Sequence, residues 1–153
     1  MKILIDTREQ LPSDFTRYGA ITERATLPVG DYSLPGFEDK VSIERKAIDD
    51  LISCLMGGRD RFERELAKGR YYDLFAVVIE GSMEDISHGR YRSNMKPQSA
   101  LQSVFAFQVR YRVPFIWAGN RAGGVYATHS LLSKYLYEIE QRYKQATKAL
   151  AAA

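Results

Sequence analysis

Glu44, Arg45 and Lys46 follow one another at the end of an apolar, extended segment, and their types could support chemistry. Alternate side chains of a β-strand share a face, so Glu44 and Lys46 project together while Arg45 points the other way. A carboxylate and an ammonium group could then meet one substrate group. Taken alone, a Glu-x-Lys pair is more often a solvated ion pair between strands, so the pair needs support from other residues.

Asp31 supplies that support. If Pro35-Gly36 and the residues after it form a hairpin turn centred near Glu38, Asp31 lies across the strand pair from Glu44 to Lys46. Two carboxylates so close would repel each other unless a positive charge sat between them. A hard divalent cation such as Mg²⁺, which prefers oxygen ligands, is the natural solution.

This combination predicts the hydrolysis of phosphodiester bonds without histidine. A metal-bound water is a better nucleophile, and the metal also polarises the phosphate under attack. The Lys46 ammonium could orient that water or neutralise the charge that develops on the phosphate oxygens. The chain has only two histidines, which are few for a nuclease that relies on imidazole ligands or nucleophiles.

Other acidic residues stand near this segment in sequence. Asp6 ends the first apolar segment and could add a third carboxylate to the metal site. Asp49 and Asp50 begin the helix that leaves the Glu44 strand. Acidic residues in a first turn interact favourably with the helix dipole, which suffices to explain Asp49. For Asp50 we favour a role in the site.

The elements that must position these residues alternate between extended and helical patterns, which predicts an α/β domain whose mixed sheet carries helices on both faces. Between residues 21 and 46 the turn formers indicate a β-meander. Strands are predicted at 2–6, 22–27, 31–34, 41–46, 74–79 and 115–117. Helices are predicted at 48–55, 59–68, 98–112 and 126–148, with a polar loop between the second-last strand and the third helix.

Length and composition are those of one domain, which we expect to span residues 1–150, with 151–153 as a possible remnant of expression. One cysteine excludes an intramolecular disulfide, and Cys54 is expected to be a packed thiol rather than a nucleophile. The net charge of +3 permits a polyanionic partner but indicates little more. With no apolar run of bilayer length, we expect a soluble, intracellular protein. It would be cytoplasmic in a prokaryote or virus and nuclear in a eukaryote.

Two basic segments are candidates for DNA contacts. Arg90, Arg92 and Lys96 lie in a loop that also carries an aromatic residue, a composition suited to phosphates and unpaired bases. A merely solvated loop fits equally well. The predicted helix 59–68 is also rich in basic residues, but its interleaved glutamates make ordinary surface pairing at least as plausible. Tyrosines on more than one face of the last helix suggest dimerisation.

Two motifs carry a resemblance to a known family. Val29-Gly30-Asp31-Tyr32 and the run from Glu44-Arg45-Lys46 through Asp50 to Leu51 resemble the GDY and ERKxxxD motifs of the XPF family of structure-specific nucleases. Asp6-Thr7-Arg8-Glu9 resembles the upstream acidic-x-Arg signature of that family. Arg61-Phe62 to Leu66 and Val78-Ile79-Glu80-Gly81 resemble its next helix and core strand.

The resemblance implies a restriction-endonuclease-like fold and Mg²⁺- or Mn²⁺-dependent cleavage of branched, flapped or forked DNA in repair, recombination or replication. It assigns Asp31 and Glu44 as metal ligands and Lys46 as the catalytic lysine. The supporting active-site positions that it assigns are Asp6, Arg8, Arg45 and Asp50. Family members usually carry tandem helix-hairpin-helix motifs that grip DNA, and this sequence has none. A second copy, a partner protein or the basic loops of this chain are therefore expected to supply that grip.

Two other functions compete with this hypothesis. Degenerate nuclease folds can serve as non-catalytic DNA-binding or scaffold subunits, although every expected acidic and basic position is present here. A resolvase or mismatch-type nuclease of the same broad fold would share the metal chemistry and differ in the DNA that it holds.

Overall fold

The computed structural model describes all residues from 1 to 153. Six strands form one mixed sheet in the order β2-β1-β3-β4-β5-β6. The strands are β1 (Lys2–Asp6), β2 (Ile21–Ala25), β3 (Tyr32–Ser33), β4 (Val41–Lys46), β5 (Leu74–Ile79) and β6 (Phe115–Trp117). The helices are α1 (Ile48–Leu55), α2 (Arg59–Gly69), α3 (Met83–Ser87), α4 (Pro97–Tyr111) and α5 (Arg121–Ala152), with a 3₁₀ turn at Thr16–Tyr18. None of these helices combines the length and apolar character that crossing a bilayer requires.

The helices pack on both faces of the sheet, as predicted. β5 shows the division, because Phe75, Val77 and Ile79 join a core cluster with α1, α2 and α4. Its alternate residues, Ala76 and Val78, join a second cluster with α5. A strand that is apolar on both faces belongs in the middle of a sheet covered on both sides.

The predicted β-meander over residues 21–46 is half right, because β3 and β4 pair antiparallel but β2 and β3 are not neighbours. β2 runs parallel to β1 at the edge of the sheet, and β3 pairs with the other side of β1 in the antiparallel sense. β1 therefore lies between β2 and β3, and these two strands do not form a hairpin. Turn-forming residues indicate where strands end, but the partner of each strand depends on contacts between residues distant in sequence.

The four predicted helices are confirmed, although α5 extends beyond its predicted range of 126–148 at both ends and one short helix was not predicted. α5 begins five residues earlier than predicted, where the Asn120 side chain accepts a hydrogen bond from the Gly123 amide and caps the helix. The predicted polar loop contains α3. Ser82 and Asp85 form a reciprocal capping box at its start, and this Ser-x-x-acidic spacing was the signal that the sequence offered.

Candidate active site

A cleft of about 660 Å³ opens between the sheet and α2. It gathers residues from the end of β1, from the loop before β3, from β4, and from the α1–α2 region. Five of the predicted site residues line it: Asp6, Arg8, Asp31, Glu44 and Lys46. The topology thus brings together side chains that lie up to 40 residues apart in the chain.

Asp31 is placed by a tight loop that only glycine allows. The φ angle of Gly30 is +81°, a left-handed value that other residues rarely adopt, and a Cβ atom there would overlap the buried Ser42 hydroxyl. That hydroxyl donates a 2.7 Å hydrogen bond to the Val29 carbonyl. The loop then pairs with β4, because the Asp31 amide donates to the Ile43 carbonyl at 2.8 Å.

The antiparallel pairing of β3 with β4 carries Asp31 to Glu44, as the hairpin predicted. Tyr32 pairs with Ile43, so Asp31, which precedes Tyr32, lies beside Glu44, which follows Ile43. The Arg45 amide donates a 2.7 Å hydrogen bond to Asp31 Oδ2, which fixes the carboxylate over the strand. The two predicted carboxylates therefore share one end of the cleft.

Lys46 is held on the same face. Its Nζ lies 3.0 Å from Glu44 Oε1, and both side chains are at most 14% exposed. The ammonium group also sits 5.4 Å from the centroid of the Phe62 ring, within the range of a cation–π interaction. Phe62 itself is buried in the core, so α2 supports β4 from the side.

Two buried carboxylates, Asp31 and Glu44, share this end of the cleft, and the lysine pairs directly with only one of them. Burial and the neighbouring charge of Glu44 raise the pKa of Asp31 to about 8. Burial also raises the pKa of Glu44, although Lys46 opposes this effect. Burial alone would lower the pKa of Lys46, but the charge of Glu44 outweighs it and the pKa is raised. Lys46 is therefore a fixed cation at neutral pH.

Arg45 points to the opposite face of the sheet, as strand alternation predicted. Its guanidinium donates two 3.0 Å hydrogen bonds to the two oxygens of Glu9 and one of 3.2 Å to Glu80. Arg121, at the start of α5, lies 3.6 Å from the same Glu80 carboxylate. These ion pairs tie β4 to the residues that follow β1 and β5.

Asp6 does not join Asp31 and Glu44 in one carboxylate group. Arg8 binds both of its oxygens, at 2.7 and 3.2 Å, and the Leu27 amide donates to Asp6 Oδ1 at 2.9 Å. These bonds outweigh the effect of burial and lower the pKa of Asp6. No three acidic, histidine or cysteine side chains are gathered as a metal site in the structure. A metal role for Asp6 stays a prediction and would require Arg8 to release it.

The residues present fit a hard divalent cation nonetheless. Burial destabilises the ionised forms of Asp31 and Glu44, and the charge of Glu44 adds to this effect at Asp31, so a cation between the two carboxylates would offset that cost. Mg²⁺ is commonly held by one or two carboxylates and keeps several waters. The oxygen donors at this end of the cleft therefore suit it.

The other predicted residues lie outside the cleft. Asp50 is exposed in the first turn of α1 and does not line the cavity. Arg90 pairs with Asp85 at 3.2 Å. The side chain of Arg92 is 95% exposed, and Lys96 is exposed too. The Arg92 amide bonds Asp49, so the loop docks on α1. Roles for these residues stay predictions.

Sequence reasoning assigned no site role to three glutamates, and it did not predict that Cys54, which packs against the core as expected, also borders the cleft. Glu9 and Glu80 each follow a strand directly or closely, and their positions at strand ends were the available signal for partners of Arg45. Glu65 lines the cleft from α2. Cys54 is half-buried and borders the same cleft, rather than being wholly inside the core, although its pKa is raised by burial, as expected for an unreactive thiol.

Comparison with known proteins agrees with these motifs. A profile of the ERCC4 domain matches residues 5–129. The chain belongs to the ERCC4 domain family. This ERCC4 domain is 41% identical over 81 residues to DNA repair endonuclease XPF of Cricetulus griseus and of Mus musculus. The matched stretch is 51% of the chain but only 8% of each XPF protein.

Solved structures confirm the fold. XPF from Aeropyrum pernix superposes with a TM-score of 0.70 at 21% identity, covering 95% of the chain and 70% of that protein. Its complex with DNA superposes with a TM-score of 0.68 at 22% identity, covering 90% of the chain and 66% of that protein. The ERCC4 domain thus has the restriction-endonuclease-like fold that the motifs implied.

Proposed function

We propose that this ERCC4 domain is a divalent-cation-dependent DNA endonuclease that hydrolyses phosphodiester bonds in branched, flapped or forked DNA. The observation that carries the proposal is the meeting of Asp31, Glu44 and Lys46 at one end of a single cleft. The names of the relatives support it, because two are DNA repair endonucleases and a structural neighbour was solved with DNA.

Each residue has a role that its surroundings suggest. Asp31 and Glu44 would hold Mg²⁺ or Mn²⁺, which when bound would activate a water and polarise the scissile phosphate. The Arg45 amide orients Asp31 for that task. Lys46 carries a fixed positive charge close to Glu44, where it can stabilise the negative charge that grows on the phosphate oxygens.

The test is cleavage of labelled flap, fork, four-way-junction and plain duplex DNA by the same protein preparation. The wild type should cut at least the flap or fork with Mg²⁺, lose activity with EDTA and recover it when Mg²⁺ is added back. Asp31→Ala should abolish cleavage while DNA binding persists. Lys46→Met should lower the single-turnover rate by about 10²–10³-fold, the usual cost of losing one charge-stabilising group.

The outcomes separate the competing functions. Cleavage that survives Asp31→Ala would sink the mechanism. Binding by the wild type without cleavage of any substrate would favour a non-catalytic DNA-binding or scaffold subunit. Preferred cleavage of four-way junctions or mismatched duplex would favour a resolvase or mismatch-type nuclease.

We also propose that a second copy or a partner protein completes the DNA grip. Fewer tyrosines of α5 are free to contact another molecule than the sequence suggested, because Tyr135 makes contacts within the chain. Its hydroxyl donates to Asp73 at 2.8 Å and its ring meets Phe37 edge-on. Tyr137 and Tyr143 remain exposed on α5. Light scattering across a range of concentrations, with and without a fork substrate, would show whether the chain dimerises.

A further inference from the structure

α2 divides its charged residues between two sides. Phe62, Leu66 and Gly69 recur at i, i+4 and i+7 and are buried against the core. Gly69 is necessary for this packing, because a Cβ atom there would overlap the ring of Phe75. With 3.6 residues per turn, this buried stripe fixes the rotation of the helix and therefore the direction of every other side chain on it.

One side of α2 faces the cleft and is mostly basic. Arg61, Arg64, Glu65 and Lys68 recur at i, i+3, i+4 and i+7, and all four line the cavity that ends at Asp31 and the catalytic strand. The opposite side, called the far side below, carries Arg59 and Glu63, which contact residues of α4.

The basic residues on the two sides differ in their partners. On the far side, Arg59 lies over the Phe107 ring at 4.8 Å and donates to the Ser103 hydroxyl at 3.1 Å. On the cleft side, Arg61 has only a loose ion pair with Glu65, at 3.9 Å, and its side chain is 80% exposed. Arg64 and Lys68 are exposed and form no ion pair within 4.0 Å.

The cleft is therefore acidic at its buried end and basic at its rim. The buried end suits a cation, and the rim suits an extended polyanion that passes over it. Arg61 and Lys68 are seven positions apart in the helix, which places them about 10 Å apart along its axis. A DNA strand carries one phosphate per roughly 3.4 Å of duplex axis, so three cations over this distance match about three consecutive phosphates.

We infer that the cleft side of α2, formed by Arg61, Arg64 and Lys68, binds the sugar–phosphate backbone of the DNA strand that enters the catalytic cleft. This inference rests on the proposed nuclease function and deepens it by naming the surface that holds the substrate. The contact is with phosphates and carries no sequence preference. It also separates α2 from the Arg90–Lys96 loop, whose residues lie outside the cleft.

The experiment measures DNA affinity against salt in a cleavage-inactive background. Asp31→Asn protein would be titrated with a fluorescein-labelled fork between 50 and 300 mM KCl, and log Kd plotted against log [KCl]. Lys68→Gln, Arg64→Gln and Arg61→Gln should each weaken binding and reduce the salt slope by about 1, because each removes one phosphate contact. The triple variant should reduce the slope by roughly 2–3.

Arg70→Gln is the matched control. It removes the same charge two residues from Lys68, but Arg70 lies on the far side of the helix, near the Tyr71 ring, and does not line the cleft. Its slope and Kd should equal those of the background protein. In the active background, the single-turnover rate of Arg70→Gln protein should also match that of the wild type, whereas Lys68→Gln protein should need a higher concentration to reach its maximal rate.

The results distinguish this inference from the proposed function. If the wild type binds and cuts DNA but Arg61, Arg64 and Lys68 variants behave like Arg70→Gln, the α2 surface is not the binding surface and the inference is overturned while the nuclease function stands. If the wild type binds no DNA, both fail. Circular dichroism melting of each variant confirms that a lost slope does not come from unfolding.

Discussion

The two carboxylates of the candidate site are held where they destabilise each other. Burial and then the charge of Glu44 raise the pKa of Asp31, and burial raises the pKa of Glu44. Lys46 relieves only part of this cost, because the lysine pairs directly with Glu44. A metal-binding site commonly stores such a cost in the metal-free protein, and binding the cation recovers it.

Asp31→Asn should therefore stabilise the metal-free protein. Asparagine keeps an oxygen to accept the Arg45 amide and removes the charge, so we expect the Tm of the variant in EDTA at pH 8 to exceed that of the wild type by several degrees. The pKa of Asp31 rises from about 3.9 when unfolded to about 8 when folded, so the wild type loses stability as pH rises through that window.

Thermal melts in EDTA between pH 5 and pH 9 measure this difference. The advantage of Asp31→Asn should grow up to about pH 8 and level off above it. Mg²⁺ should raise the Tm of the wild type and shrink the advantage. An advantage that is constant with pH would contradict the account.

At the scale of elements, the loop before β3 and the strand β4 fit each other through Gly30 and Ser42. The glycine takes a left-handed φ angle directly over the buried serine hydroxyl, which in turn bonds the carbonyls of Val29 and Tyr32. In the GDY motif, the glycine is thus required by steric fit against Ser42, and the aspartate lies in the candidate site.

Gly30→Ala should destabilise the protein by about 2–4 kcal/mol, because it combines backbone strain with overpacking against Ser42. Urea unfolding of Gly30→Ala, Ser42→Ala and the double variant would form a mutant cycle. The double variant should lose less than the sum of the single changes, since removing the hydroxyl relieves the clash. Strict additivity would show that the clash is absent.

A second link between elements is the buried ion group around Arg45. Its side chain is 9% exposed, and those of Glu9 and Glu80 are 6% and 7% exposed. Arg45→Met leaves two buried carboxylates without their main partner and should cost about 3–5 kcal/mol. A triple variant with Arg45→Met, Glu9→Gln and Glu80→Gln should recover much of that loss, because no uncompensated charge remains within the group. Urea titration of both variants checks this, and a triple variant weaker than Arg45→Met would refute it.

At the scale of the whole molecule, the core ends well before the chain does. All buried residues of α5 lie between Gly124 and Leu132, where the helix covers one face of the sheet. Residues 144–153 continue the helix with every residue exposed. This portion of α5 contributes helix propensity but no packing in the monomer.

Removing residues 144–153 should leave the Tm within about 2 °C of the intact chain, since surface changes usually alter stability by less than 0.5 kcal/mol. Cleavage per active site should also persist. A drop of 10 °C or more at fixed concentration, accompanied by a change of oligomeric state, would show instead that the exposed end of α5 packs against another molecule.

The sequence by itself determined the family and most element boundaries, and it motivated the proposed class of chemistry. Strand alternation separated Glu44 and Lys46 from Arg45, and the hairpin placed Asp31 opposite them, because both depend on local geometry. Helical periodicity located α1, α2 and α4 for the same reason. The predicted β2–β3 pairing failed, since β1 lies between these strands and such pairing partners are set by long-range contacts.

Only the tertiary structure decided which charges meet. Arg45 pairs with Glu9 and Glu80, and Asp6 pairs with Arg8. Asp50 and the Arg90–Lys96 loop lie outside the cleft. The tertiary structure also chose one side of α2 for the cleft, which the interleaved Arg and Glu residues left open. These outcomes depend on how elements distant in sequence pack together, and the rotation of α2 follows from the burial of Phe62 and Leu66 against that packed core.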